Sequence, residues 1–106
     1  AADVRPLSLH TICTTRWAAD HRFVSVALRR QVFARDHVAW TARACCVVDH
    51  RVPRELGGAD VMENLWVQTV ADAHRKDVSE NALHRAVCAG TVTLETAQGE
   101  MRRWRP

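Results

Sequence analysis

The four cysteines of this 106-residue chain constrain its fold more than any other feature of the sequence. They are Cys13, Cys45, Cys46 and Cys88, and no two of them form a Cys-x-x-Cys pair, which argues against a zinc site built from four sulfurs. An even number of cysteines in a small domain indicates one or two disulfides. Because a bridge between neighbours is strained, the sequence leaves Cys45 and Cys46 as free thiols or as alternative partners of the other two.

Disulfides also indicate an oxidising compartment. The chain begins Ala-Ala-Asp without a methionine, as it would after removal of a signal peptide. Its apolar runs, such as residues 44–48, are too short to span a membrane. We therefore expect a secreted or periplasmic protein, with the cytoplasm as the alternative location.

The composition predicts one folded domain over residues 1–106, because 47% of the residues are apolar and 25% are charged. The formal net charge of +3 is a weak basic bias that suits a polyanionic partner without requiring one. Fourteen of the fifteen basic residues are arginine, whose forked guanidinium suits phosphate. The codon usage of a GC-rich genome is the alternative explanation for this excess of arginine over lysine.

Hydrophobic spacing predicts an α+β fold. We expect an irregular entry segment over residues 1–22, a helix from Phe23 to about Ala34, strands over 45–50 and 64–68, and a loop between them. A longer helix over 70–88 should begin after Thr69 and stop before Gly90, and a last short helix should follow Thr93. The apolar face of the longer helix is predicted to comprise Val78, Ala82, Leu83, Ala86 and Val87.

Asp49 and His50 stand side by side at the end of the first predicted strand, and Asn64 begins the second. A hard divalent cation binds carboxylate oxygen, and an imidazole with an ordinary pKa of about 6.5 suits a base that activates water. A metal ligand beside such a base is a compact arrangement for hydrolysing a phosphodiester bond. A further ligand has to come from the longer helix, where His74 is the first candidate.

This pattern resembles the HNH nuclease family. The similarity covers roughly residues 46–88 and rests on Asp49-His50 with Pro53, Gly57-Gly58, Asn64-Leu65-Trp66 and the helix start at residues 74–76. Two flanking segments, Thr11-Ile12-Cys13 and the run from Lys76 to Gly90, are similar to a small group of bacterial HNH-like proteins.

The resemblance implies a ββα-metal motif with flanking N-terminal and C-terminal helices, and a metal-dependent endonuclease that hydrolyses phosphodiester bonds in DNA. His50 would be the general base, and Asp49 would bind a single Mg²⁺, Mn²⁺ or Zn²⁺ ion. Asn64 would steady the loop or join the metal shell. The third ligand is His74 in our first choice and His84 in our second, and the longer signature also allows Glu80.

The resemblance also favours a disulfide between Cys13 and Cys88, the two cysteines that the bacterial group shares. Basic residues around the site are expected to contact nucleic acid, with DNA preferred over RNA: Arg51, Arg54, Arg75 and Lys76. The alternative is a catalytically degenerate, disulfide-stapled HNH-like scaffold that acts as a structural or partner-binding protein.

Overall fold

The computed structural model describes residues 2–20 and 24–106. It has an α+β fold that contains four α-helices and a two-stranded antiparallel sheet in the described part, as the sequence predicts at this coarse level. The elements are α1 (Leu9–Thr14), α2 (Val26–Arg35), β1 (Cys46–His50), β2 (Leu65–Thr69), α3 (Val70–Cys88) and α4 (Leu94–Arg103). The helix α1 lies within the entry segment that we expected to be irregular.

Each of these helices begins after a hydroxyl side chain that accepts a hydrogen bond from a backbone N–H of the first turn. The four capping residues are Ser8, Ser25, Thr69 and Thr93. A cap of this kind stabilises a helix by about 1 kcal/mol. The predicted helix over 70–88 is confirmed, and Gly90 follows its end with a φ of 79°. Phe23, the expected first residue of α2, lies outside the described residues.

The two strands form a hairpin in which Asp49 lies opposite Trp66 and His50 lies opposite Leu65. Both predicted strands are confirmed to within one residue at either end. Residues 51–64 connect them and contain two short 3-10 turns, Arg54–Leu56 and Met62–Asn64. Because β2 runs directly into α3, the helix folds back across both strands.

The buried face of α3 differs from the predicted apolar face. Val78 is 70% exposed and Ala82 is exposed, whereas Lys76, Glu80 and Val87 are buried. At 100° per residue, Val78 lies on the opposite side of the helix from Lys76. The apolar pattern predicts the wrong face because Lys76 pairs both with Glu80 and with Asp49 of β1, and this pairing allows the charged residues to be buried.

A buried apolar cluster lies where α4 and the end of α3 meet the loop after β1. Its buried members are Val52, Leu56, Val87, Ala97 and Met101. This cluster fixes the loop and the two helices relative to one another. None of the helices in the described ranges is both long and apolar enough to cross a membrane.

All four cysteines are paired. Cys13 and Cys88 form the predicted disulfide, which ties α1 to the last residue of α3. Cys45 and Cys46 are bridged to each other immediately before β1. This bridge corrects the sequence analysis, which expected these adjacent cysteines to be free thiols or alternative partners of Cys13 and Cys88. The turn before β1 brings their sulfur atoms together, which the argument from strain between neighbours did not anticipate.

Candidate functional site

A groove of about 360 Å³ opens beside the end of β1. We call residues 51–64 its loop wall and the residues of α3 that face it its helix wall. The helix wall comprises Lys76, Asp77, Glu80 and Asn81, of which Lys76 lies beneath the surface. The side chains that line the groove are those of Trp17, Ala18, Asp49, His50, Pro53, Arg54, Glu55, Asp77, Glu80 and Asn81. The predicted base and the predicted metal ligand on β1 therefore face one cavity.

Asn64 fixes the conformation of the loop wall. Its side chain is fully buried, and its Oδ1 accepts a hydrogen bond from the backbone N–H of Val52 at 2.9 Å. Its Nδ2 donates to the carbonyl oxygens of Val52 and Ala59 at 2.9 and 3.0 Å. Of the two roles that the resemblance allows, this geometry matches the one in which Asn64 steadies the loop.

Gly58 allows the loop wall to approach Val52 closely. A Cβ atom at residue 58 would lie 1.7 Å from the carbonyl oxygen of Val52 and 2.9 Å from Nδ2 of Asn64. Its neighbour Gly57 has a φ of 88°, which a side chain would disfavour. The glycine pair is therefore needed for the backbone geometry that presents the loop beside His50.

His50 is paired with a carboxylate from the loop wall. Its Nε2 lies 2.7 Å from Oδ1 of Asp60, and Nε of Arg54 donates to the same oxygen at 3.0 Å. Burial acts to raise the pKa of the Asp60 carboxyl, but the bonds from His50 and Arg54 outweigh it and leave the pKa lowered. Asp60 is therefore an ionised acceptor that orients the imidazole.

The same contacts determine the proton state of His50. Burial lowers the pKa of the imidazole below its ordinary value, although the hydrogen bond to Asp60 partly opposes this effect. The ring is thus neutral near pH 7. Because the Asp60 carboxylate can only accept, Nε2 carries the proton and Nδ1 keeps its lone pair. No hydrogen bond among residues 2–20 and 24–106 uses Nδ1, so the ring has an unoccupied basic nitrogen.

On the helix wall, Lys76 is fully buried and its ammonium lies among three oxygens. Nζ is 3.0 Å from Oε1 of Glu80 and 3.4 Å from Oδ2 of Asp49, and it donates a hydrogen bond to the carbonyl oxygen of His50. Oδ1 of Asp49 accepts from the backbone N–H of His50. Oδ2 of Asp49 is buried and has no hydrogen-bond partner within the described ranges, so its nearest charge is the ammonium.

Burial makes three carboxyl groups of the groove harder to ionise. It raises the pKa of Asp49 and of Glu55, and it raises the pKa of Glu80 to about 7. The charge of Lys76 opposes the shift at Asp49 and Glu80, while the charge of Asp49 adds to it at Glu80. The groove is therefore acidic in composition but is not fully ionised at neutral pH.

The histidines predicted as further metal ligands do not line this groove. His74 is exposed on α3. The Nε2 atom of His84 lies 2.9 Å from the carbonyl oxygen of Ile12 and 3.8 Å from the sulfur of Cys88. In the part of the chain that the structure describes, no group of three His, Cys, Asp or Glu side chains is arranged to bind a metal ion.

The four basic residues predicted to contact nucleic acid occupy different environments. Arg54 lines the groove beside Asp60, and the exposed Arg75 pairs with Asp72. Lys76 is not placed where it could reach a nucleic acid, because it is fully buried and its ammonium is bound to neighbouring oxygens. The charge that the sequence suggested for a surface contact is instead part of the interior.

The fourth basic residue, Arg51, stacks on an aromatic side chain. Its guanidinium carbon lies 4.1 Å from the ring centroid of Trp66, and that of Arg105 lies 5.5 Å away. Trp104 packs edge-on against Trp66. Burial and the nearby charges of Arg105 and Arg35 lower the pKa of Arg51. No hydrogen bond between described residues uses the Arg51 guanidinium, so its N–H groups are available to an anion.

No protein-family model matches the chain, and no curated protein or solved structure matches it either. The resemblance to HNH nucleases therefore stays a prediction from the residues of the sequence.

Several residues of the groove were missed as site residues in the sequence analysis. Asp60 lies in the middle of the loop, and no local pattern links it to His50 ten residues earlier. Asp77 reaches the groove because α3 crosses the hairpin, and Glu55 reaches it from the short turn in the loop wall. The spacing of Lys76 and Glu80 by four residues was a usable signal, because side chains so spaced meet on one helix face.

Proposed function

We propose that this protein is an endonuclease of the HNH type that hydrolyses phosphodiester bonds in DNA, with His50 as the general base. The observation that carries the proposal is the His50–Asp60 pair beside the groove. A neutral imidazole with one nitrogen hydrogen-bonded to a carboxylate and the other unbonded is the arrangement that general-base catalysis requires. The proposal accordingly places the attacking water near Nδ1 of His50.

In the proposed reaction, Nδ1 of His50 takes a proton from this water as its oxygen forms a bond to phosphorus. The bond from phosphorus to the leaving 3′ oxygen breaks, and that oxygen takes a proton from solvent. The Asp60 carboxylate stabilises the imidazolium that forms and maintains the orientation of the ring. Arg54, which donates to Asp60 and lines the groove, is the nearest guanidinium to the reacting phosphate in this proposal.

Binding of DNA is supported by the arginines on Trp66. Arg51 follows His50 directly in the chain, and its guanidinium is oriented by the tryptophan ring rather than neutralised by a bonded carboxylate. Arg105 adds a second positive charge at the same ring. Such charges attract the phosphate backbone without reading sequence. These contacts support a nucleic acid as the partner, and the preference for DNA over RNA comes from the resemblance to HNH nucleases.

The resemblance also implies a divalent cation, Mg²⁺, Mn²⁺ or Zn²⁺, bound through Asp49. A cation would suit the groove because its carboxylates repel a phosphodiester. The donors in this arrangement nevertheless do not fit a metal ion. Oδ2 of Asp49 faces the ammonium of Lys76, and neither His74 nor His84 lines the groove. We derive no step through a metal, and the metal requirement stays a prediction.

Cleavage of supercoiled plasmid DNA tests the proposal, with single-stranded RNA as the comparison substrate. His50→Ala should lower the cleavage rate by about 10²–10⁴-fold, because a positioned base is lost. The fold should persist, since His50 fills no part of the apolar core. His10→Ala is the matched control, because His10 is exposed on α1.

The assay is run with Mg²⁺, Mn²⁺ or Zn²⁺ and with a chelator, which decides the metal prediction separately. If a metal is required, Asp49→Ala should lose both activity and metal affinity, and the third ligand is whichever of His74→Ala and His84→Ala behaves in the same way. Equal cleavage by the wild type and His50→Ala, or no cleavage of either nucleic acid under any condition, would contradict the proposed function.

A second candidate is the catalytically degenerate scaffold that binds a partner. It is favoured by one observation, namely that neither predicted histidine ligand, His74 or His84, lines the groove, so that only Asp49 and Glu80 of the predicted ligands lie there. It predicts that His50→Ala changes stability but has no activity to remove. For either function we propose a secreted or periplasmic location, which the two disulfides suit.

A further inference from the structure

The side chain of Lys76 is a buried cation beside the groove. Lys76 is the only lysine of the chain, its side chain is fully buried, and it points at the carboxylates of Asp49 and Glu80. Buried lysine is rare because its charge has to be removed from water. Here the charge is compensated by two carboxylates and by the carbonyl oxygen of His50.

These three oxygen atoms are also ligands of the kind that a hard divalent cation binds. Oδ2 of Asp49 is the atom that most resembles an unused metal ligand. It is buried, it lacks a hydrogen bond among the described residues, and Nζ of Lys76 lies 3.4 Å from it. An ammonium and a divalent cation cannot share this space, because like charges at such a short distance repel strongly in a buried environment.

We propose that the ammonium of Lys76 occupies the cation position of this groove and competes with divalent metal ions for Asp49 and Glu80. Lys76 is then a positioning residue: it neutralises the two carboxylates, and its hydrogen bond to the His50 carbonyl fixes the main chain that carries the imidazole. A divalent ion binds at these carboxylates only when the ammonium leaves. This inference concerns ion binding and does not depend on the proposed hydrolysis.

Calorimetric titration with Mn²⁺ tests the competition. Lys76→Met preserves the length of the side chain and removes its charge, which leaves Asp49 and Glu80 without a partner cation. We expect it to bind Mn²⁺ about 10–100-fold more tightly than the wild type. Arg75→Met is the matched control, because Arg75 is the exposed neighbour of Lys76 and its loss should leave Mn²⁺ affinity unchanged. Asp49→Asn added to Lys76→Met should abolish the gain.

Stability gives a second readout for the variant. Without metal, Lys76→Met should have a lower Tm than the wild type, because two buried carboxylates have lost their counter-charge. Mn²⁺ should raise the Tm of Lys76→Met and have a much smaller effect on the wild type. If the variant folds only when it is refolded with Mn²⁺, that result supports the same conclusion.

The wild-type protein provides a test that needs no variant. Because Lys76 is the only lysine, amine-reactive labelling followed by peptide mass analysis reports on this side chain separately from the chain terminus. The proposal expects slow labelling in chelator and faster labelling as Mn²⁺ is increased. Equal Mn²⁺ affinity in the wild type and Lys76→Met, or saturation of the wild type with no change in labelling, would overturn it.

Discussion

The loop wall and the helix wall meet at His50, but they are stabilised by different interactions. On the loop wall, neutral hydrogen bonds from Asn64 connect Val52 and Ala59. On the helix wall, a buried ammonium lies between two carboxylates. Neutral hydrogen bonds do not change with pH or ions, whereas buried charges respond to both. The comparison indicates that the Asn64 hydrogen bonds hold the backbone of the loop wall independently of pH, whereas the Lys76 cluster makes the helix wall responsive to pH and ions. The charged part of the loop wall is confined to the contacts of Asp60 with His50 and Arg54.

The largest expected effect comes from the C-terminal end of α3, beyond the helix wall, where Cys88 is bridged to Cys13. Replacing both residues with serine should lower the free energy of unfolding by about 4 kcal/mol, because the bridge closes a loop with a sequence separation of 75 residues. Urea denaturation of oxidised protein measures the loss. Serine at both Cys45 and Cys46 is the control, since adjacent residues close no loop and little stability should be lost. Equal losses in the two pairs would refute the account.

A smaller loss of folding stability is expected from a substitution on the loop wall. Asn64→Ala should lower the free energy of unfolding by about 3 kcal/mol, because the backbone groups of Val52 and Ala59 lose their buried partners. The loss should be the same from pH 5 to pH 8, since no charge is involved. Asn81→Ala, which removes an exposed amide on the opposite wall, should have an effect below about 0.5 kcal/mol. A loss that varies with pH would contradict the assignment of neutral hydrogen bonds to Asn64.

The smallest effect is the part of the pH dependence of stability that comes from Glu80 on the helix wall. Glu80 has a pKa of about 7 in the fold, mainly because it is buried, and an ordinary value of 4.5 when exposed. Below pH 4.5 the carboxyl is protonated in both states and costs no stability. As the pH rises from 4.5 to 7, the unfolded chain releases the proton first, so the free energy of unfolding should fall by about 2 kcal/mol.

Glu80→Gln should reduce this pH dependence, and urea denaturation at several pH values between 4.5 and 7.5 measures it. Glu63→Gln is the control, because Glu63 is exposed and should not change the slope. A Glu80→Gln variant with the slope of the wild type would show that another group on the helix wall is responsible.

The element order was largely determined by the sequence. Thr69, Gly90 and Thr93 are local signals, since each acts through its own hydroxyl or φ angle, and they correctly delimited α3 and the start of α4. The strands before and after the loop were also found to within one residue. The helix in the entry segment was not predicted. Because α1 is a single short helix with one buried apolar residue, Ile12, it has no repeated apolar spacing that the sequence could show.

The groove itself was determined only in part by the sequence. Asp49 and His50, which the sequence predicts as site residues, both line the groove, and their adjacency at the end of a strand is a local fact that the sequence shows. The partner of His50, which is Asp60, and the burial of Lys76 were decided by the tertiary structure. Both depend on the path of the loop and on the angle at which α3 crosses the hairpin. A periodicity argument ranks a lysine as exposed, whereas the fold buries it where two carboxylates and a carbonyl oxygen replace the water that its charge would otherwise require.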